Sequence, residues 1–153
     1  MTTGMIKILV RLDSNDWHGM TGEKLWATEV EHGYFRIENN PFYAYGISFA
    51  DLVEAELGSQ DEVLFCRVVL KGGHSNYRIM LRDGSRRAEF DRIWLNLESL
   101  GCRYESSKSP ERFFAIEVPP DVDVHYVYSV LSHGEEEGSW YLDEGNFEHA
   151  RIQ

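Results

Sequence analysis

Residues 76–101 read NYRIMLRDGSRRAEFDRIWLNLESLG, and the fold turns on how this stretch divides. Residues 76–81 form an apolar strand whose side chains point to two faces in turn. Asp83-Gly84-Ser85 supplies a turn and a helix N-cap. From Arg86 to Leu100, the residues Phe90, Ile93, Trp94, Leu97 and Leu100 recur at spacings of three and four, which draws one apolar stripe along a helix. Gly101 stands where a left-handed residue ends such a helix.

The pattern continues downstream. Residues 103–107 and 113–118 read as a hairpin about Lys108-Ser109-Pro110-Glu111. Pro119-Pro120-Asp121 opens a second helix, with Asp121 or Asp123 as its cap. Val124, Val127, Tyr128 and Leu131 supply its buried face. Val122, Val124, Tyr126, Tyr128 and Val130 also alternate as in a strand; the Pro-Pro-Asp entry and the Gly134 exit favour the helix. Residues 140–147 make a last strand. From Tyr77 to Phe147 the order is strand, helix, strand, strand, helix, strand, the signature of a ferredoxin-like βαββαβ unit.

Upstream, the sequence reads as a β meander. Ile6, Ile8, Val10 and Leu12 alternate with Lys7, Leu9 and Arg11. Residues 13–22 are rich in Asp, Ser, Asn and Gly, a loop. Residues 23–31 and 34–38 are strands joined at His32-Gly33. Asn39-Asn40-Pro41 breaks the pattern, because Pro41 lacks an N–H and holds Asn40 extended. Residues 52–57 and 63–71 form a second pair. Strands this short, with so little helix, predict a small curled sheet or partial barrel. Gly72-Gly73 bends the chain between the halves. The expected class is α+β: an antiparallel β subdomain over residues 1–73, then the ferredoxin-like unit over 74–153.

Composition narrows the function classes. No apolar run approaches the roughly 18–20 residues of a membrane helix, and the first residues read as a strand, not a signal peptide. The expected compartment is the cytosol. Cys66 and Cys102 are then expected to be reduced, buried thiols. The net charge is −11, unevenly spread. Between Phe113 and Ala150 there are nine carboxylates and no Lys or Arg, which leaves the rest of the chain near neutral. Such a field disfavours nucleic acid and anionic membranes. It suits either solubility or an acidic face for a basic partner.

Catalytic and metal motifs are sparse. His18, His32, His74, His125, His133 and His149 include no i, i+4 pair, and no Cys-x-x-Cys occurs; neither metal nor cofactor is expected. Gly72-Gly73-His74-Ser75-Asn76-Tyr77-Arg78 is a glycine-led polar segment, read either as a bent junction with one pinned arginine or as an anion-holding loop. His74 and Ser75 are no catalytic dyad, because adjacent side chains on an extended chain diverge. Glu135-Glu136-Glu137 is a charge run. Trp17, Trp26, Tyr43, Tyr45 and Trp140 exceed the needs of one modest core; they either pack between the halves or anchor a partner.

Several stretches together resemble one family: Glu23-x-x-Trp26-Ala27, Tyr34-x-x-x-x-Asn39-x-Pro41-Phe42, Tyr45-Gly46-Ile47-Ser48-x-x-Asp51-x-Val53, Gly73-His74-Ser75-x-Tyr77-Arg78 and Gly138-x-Trp140-x-x-x-Glu144-Gly145. They are similar to domain of unknown function 4265. The resemblance implies a small bacterial cytosolic protein and no particular activity.

The residues therefore lead to a non-enzymatic binding protein. Its acidic C-terminal third would engage a basic protein partner through Glu135, Glu136, Glu137, Trp140, Asp143 and Glu144, with toxin neutralisation of the immunity type as one concrete form. The alternative is a small-molecule or catalytic module at the junction of the halves, where His74, Ser75, Tyr77 and Arg78 would hold an anionic ligand. A homodimer through edge strands is compatible with either.

Overall fold

The computed structural model describes residues 4–82, 86–107 and 112–150. The first half is a meander of β1 (Met5–Arg11), β2 (Gly22–Glu31), β3 (Tyr34–Ile37), β4 (Leu52–Leu57) and β5 (Val63–Leu70). It curls into a closed barrel because β1 also pairs in parallel with β5, Ile8 opposite Val63 and Leu9 opposite Leu64. Alternation sends Ile8, Val10, Leu25, Ala27, Phe35, Ile37, Val53 and Ala55 inward. Ala44 and Ile47, from the long β3–β4 connection, complete that core.

Bulges give the strands their curvature. On β5 the register passes from Glu54 opposite Arg67 to Ala55 opposite Phe65, so Cys66 is the extra residue. It is exposed, which corrects the expectation of a buried thiol. Phe65 and Val68 still pack on the barrel core, and the bulge places both Cys66 and Arg67 outside. Cys102 is buried as expected, and burial pushes its thiol up to about 11.

The second half holds β6 (Ser75–Leu81), α1 (Arg87–Leu100), β7 (Arg103–Ser106), β8 (Phe113–Val118), α2 (Val124–Glu136) and β9 (Trp140–Asn146). The strands form one sheet in the order β7-β8-β6-β9, every neighbouring pair antiparallel. Both helices cover one face. Phe90, Trp94 and Leu97 of α1 and Val124, Val127 and Leu131 of α2 pack on Tyr77, Ile79, Leu81, Phe114, Ile116, Val118 and Trp140. Phe90 stacks on Phe114 at 4.2 Å between centroids. Leu100 leaves the stripe and is 43% exposed, since the left-handed Gly101 (φ 112°) turns the chain away.

The segment with competing patterns is the helix α2. Asp123 caps it, its carboxylate accepting from His125 N at 3.0 Å and Tyr126 N at 3.3 Å. Both the expected cap at Ser85 and the turn at residues 108–111 lie outside the described residues. Among the described residues no helix is long and apolar enough to cross a membrane.

Candidate binding site at the seam between barrel and sheet

The face of the sheet turned to the barrel is mostly polar, with Phe113 and Ala115 of β8 as its buried apolar members. Because alternate residues share a face, Arg103 and Glu105 on β7, Glu117 on β8, Asn76 and Arg78 on β6 and Asp143 on β9 all lie on the side opposite the helices. Asn76, Arg78 and Glu117 are nonetheless buried. The partner of Asn76 and Arg78 is the β3–β4 connection, residues 38–51, which is wedged against them.

The backbone of that wedge has no ladder, so its polar groups need side-chain partners. Glu23, at the start of β2, accepts from Phe42 N (2.6 Å), Tyr43 N (3.0 Å) and Ala44 N (2.9 Å). Asn40 N donates to Glu105 at 2.6 Å; burial raises the Glu105 carboxyl while that contact lowers it. Asn76 Nδ2 donates to Ile47 O at 2.9 Å and Ser48 Oγ at 3.0 Å. Arg78 Nη1 donates to Ala44 O at 2.6 Å and Nη2 to Tyr43 O at 3.3 Å. Asp51 turns back to accept from Ser48 N at 2.9 Å and Gly72 N at 3.0 Å. Gly145 is required below this layer, for a Cβ there would lie 2.0 Å from Asn76 Oδ1 and 2.4 Å from Arg78 Nη1.

Arg78 has its charge met by Asp143. Both Nη2 (3.0 Å) and Nε (3.3 Å) donate to Asp143 Oδ2. Tyr45 OH donates to the same oxygen at 2.8 Å, and Trp17 Nε1 donates to Tyr45 OH at 2.8 Å. Burial, then the bond to Asp143, raises the Tyr45 phenol. Beside this relay opens a groove of about 400 Å³, lined by Trp17, Arg78, Met80, Phe113, Tyr141, Leu142 and Asp143. That volume lies in the range of small binding pockets. Trp17 (52% exposed) and Tyr141 (59%) form its rims. Trp17 meets buried Phe113 edge-on at 5.9 Å.

The residues expected to hold an anion do not converge. Strand alternation sends Tyr77 into the helix-side core, beside Tyr128. Ser75 is fully buried, its hydroxyl 2.6 Å from His149 Nδ1 and accepting from Glu148 N at 2.9 Å. His74 Nδ1 lies 2.6 Å from Glu117 Oε2, and Glu117 Oε1 takes Arg103 Nε at 2.9 Å. Only Arg78 reaches the groove, and its guanidinium is committed. The junction holds a bent chain with a pinned arginine.

The expected partner-binding residues divide as well. Glu135, Glu136, Glu137 and Glu144 are exposed. Asp143 is one third exposed in the groove. Trp140 is fully buried, its Nε1 donating to Leu131 O at 2.9 Å, and so is no surface anchor. The reason is Gly134: a Cβ there would stand 2.0 Å from the Trp140 ring, so the glycine makes the hollow that takes the indole.

The acidity is also less of a face than the count suggests. Glu117, Asp123, Asp143 and Glu148 each hold internal partners. What remains concentrates at the end of α2. Glu135 Oε2 accepts from Leu142 N at 2.8 Å, which ties the acidic turn to the lip of the groove and covers a donor of edge strand β9. Reading from residue type alone missed Glu23 and the Trp17–Tyr45–Asp143 relay. Glu23 carried a signal only in its place within the family-like pattern.

Comparison with known proteins adds a fold and a family. A solved structure described as "Novel crystal structure of a hypothetical protein from Neisseria gonorrhoeae" is similar over 98% of this chain and 99% of its own, at TM-score 0.74 and 16% identity. At that identity the likeness concerns the fold. A comparison with curated proteins gave no match. The family described as Domain of unknown function (DUF4265) matches residues 23–142, which span Glu23, the whole wedge and Arg78 but leave Trp17 and Asp143, the two ends of the relay, outside. The chain belongs to the DUF4265 family.

Proposed function

We propose that the protein is a non-enzymatic binding protein whose acidic C-terminal third engages a basic protein partner, with the seam groove as anchor. The observation that carries this reading is the placing of Glu135, Glu136 and Glu137. Carboxylates at the carboxyl end of a helix oppose its dipole, at about 0.3–1 kcal/mol each. Here three of them crowd the end of α2, where His133 is the sole basic residue of the last turn. Glu135 ties this turn to Leu142, which lines a groove rimmed by two exposed aromatic rings. Charge for steering beside rigid aromatic surface for anchoring is the composition of a protein-recognition patch.

Toxin neutralisation of the immunity type, in a bacterial cytosol, is one concrete form of this role. The strand order β7-β8-β6-β9 with both helices on one face supports the finer assignment of the second half as a ferredoxin-like unit, a fold that hosts many functions. The anionic-ligand alternative loses its support because Arg78 is neutralised by Asp143, whose own carboxylate faces the groove.

The test is affinity capture at about 50 mM and about 300 mM salt, since screening weakens charge-steered contacts. The native chain is compared with an E136Q/E137Q/E144Q variant. A basic protein retained at low salt, weakened at high salt and lost with the variant is the expected result. Capture that ignores both salt and variant would overturn the reading.

A further inference from the structure

Asp143 uses its two oxygens unequally. Oδ2 accepts three hydrogen bonds, from Tyr45 OH, Arg78 Nη2 and Arg78 Nε. No donor among the described residues reaches Oδ1, although the side chain is one third exposed in the groove wall. A carboxylate oxygen accepts and never donates, so a ligand meeting it must bring a donor. Four of the five Arg78 N–H groups are spent on Asp143, Ala44 O and Tyr43 O, and the guanidinium is buried.

The other lining groups are Trp17, Met80, Phe113, Tyr141 and Leu142. The faces of aromatic rings carry negative potential and attract cations. The chain already uses that attraction in the same place: Arg78 Cζ lies 4.6 Å from the centroid of Tyr45, and Arg82 Cζ lies 5.0 Å from that of Tyr141. A guanidinium suits the groove better than an ammonium, because it is planar, stacks on rings and is more weakly hydrated.

We propose that the groove receives one arginine side chain of a basic protein segment, its guanidinium donating to Asp143 Oδ1 and packing against Trp17 and Tyr141. The inference rests on the binding role proposed above and names the anchor of that interface. A protein segment is favoured over a free amino acid because Glu135, tied to Leu142 at the lip, leads directly to Glu136 and Glu137, where further basic residues of an extended chain would lie. Arg82 is an exposed like charge at the rim. It must swing from Tyr141 as the guest enters, so it sets the affinity.

The experiment titrates the full chain with a synthetic acetylated glycine–arginine–glycine–arginine–glycine amide, and with the same peptide carrying neutral citrulline for arginine. The readouts are calorimetry and the NMR signal of the Trp17 indole N–H. Saturable arginine-peptide binding that moves this signal is expected, with citrulline about tenfold weaker or worse. Trp17→Ala and Asp143→Asn should each weaken binding several-fold, and Arg82→Ala should strengthen it. Trp17 is exposed, so that variant tests the groove even where Asp143→Asn, by loosening Arg78, impairs folding. Equal binding of both peptides, or binding untouched by Trp17→Ala, overturns the arginine pocket. If E136Q/E137Q abolishes binding while the groove variants do not, the pocket falls and the acidic binder stands. Absence of binding to either peptide at millimolar concentration overturns the pocket, and salt-dependent capture of a basic protein then decides the wider role separately.

Discussion

The two faces of the four-stranded sheet are built from the same strands on opposite terms. Toward the helices, Tyr77, Ile79, Leu81, Phe114, Ile116, Val118 and Trp140 make an apolar core. Toward the barrel, Asn76, Arg78 and Glu117 are just as buried but are polar or charged. The helix face is held by apolar area and packing, which are non-directional. The barrel face packs Phe113 on Phe42 and Tyr43, and is otherwise held by hydrogen bonds that fix where each partner goes. On that side apolar packing alone would not have set the position of the chain. What had to be fixed was an irregular segment, residues 38–51, whose amides and carbonyls require named partners.

The comparison is broken most severely by single deletions on each face. Phe114→Ala should cost about 3–5 kcal/mol from lost burial and a cavity, and Phe114→Leu should recover much of it. Arg78→Met should cost about 3 kcal/mol by leaving two carbonyls without donors and Asp143 with only the Tyr45 hydroxyl. Urea unfolding of Arg78→Met, Asp143→Asn and the double variant should show strong coupling. An additive cycle would mean that the barrel face is packed, not paired.

Each face also holds one glycine against large side chains, Gly134 under Trp140 and Gly145 under Asn76 and Arg78. Alanine at either should destabilise by about 1–3 kcal/mol through overpacking, even though alanine favours a helix at position 134. A neutral Gly145→Ala in thermal unfolding would show that the polar layer yields where the apolar one does not.

Removing the three-amide acceptor comes next. Glu23→Ala leaves Phe42 N, Tyr43 N and Ala44 N without their carboxylate. The expected loss is at least the about 1–3 kcal/mol of one stranded buried donor. A comparable truncation of exposed Glu136 should change stability little.

A smaller effect separates the faces by pH. Burial, then a hydrogen bond with Glu148, raises the Asp51 carboxyl to about 7. The unfolded chain gives up that proton near pH 4. Between about pH 4 and 7 the native state therefore holds the extra proton, and the group's contribution falls as pH rises, levelling above about 7. Unfolding midpoints against pH should show this decline in the native chain relative to Asp51→Asn. Parallel curves would remove Asp51 from the account. The thiols offer the mildest probe. Cys66 should react with a thiol reagent in the native protein, and Cys102 only on unfolding.

The helix-side architecture was legible because apolar periodicity reports burial directly. Phe90, Trp94 and Leu97, and the alternation through β6 and β8, marked their own face. The barrel side was not, because a polar residue in an alternating strand is read as facing water. Arg78 read as a pinned or anion-holding arginine and Asp143 as a partner-binding carboxylate, and nothing joined the two until topology paired strands 65 residues apart. Trp140 was misplaced for a related reason: its hollow comes from Gly134, a residue read as a helix exit. Cys66 was misplaced by a bulge, which reverses alternation without altering composition. The element order of the second half needed only local signals. The closing pair β1–β5 left none, since a parallel contact between distant strands is set by the whole barrel.

The most direct test of the wedge is amide hydrogen exchange of the native protein, read residue by residue. The backbone amides of Asn40, Phe42, Tyr43, Ala44 and Ser48 belong to no strand or helix, yet each donates to a carboxylate of Glu105, Glu23 or Asp51. The account predicts slow exchange at all five, comparable with the amides of β6 and β8, because each is held by a carboxylate of the barrel, the sheet or the wedge itself, and the wedge is clamped between barrel and sheet. Exchange at the rate of an unstructured chain would contradict it, and the buried polar face of the sheet would then fix nothing.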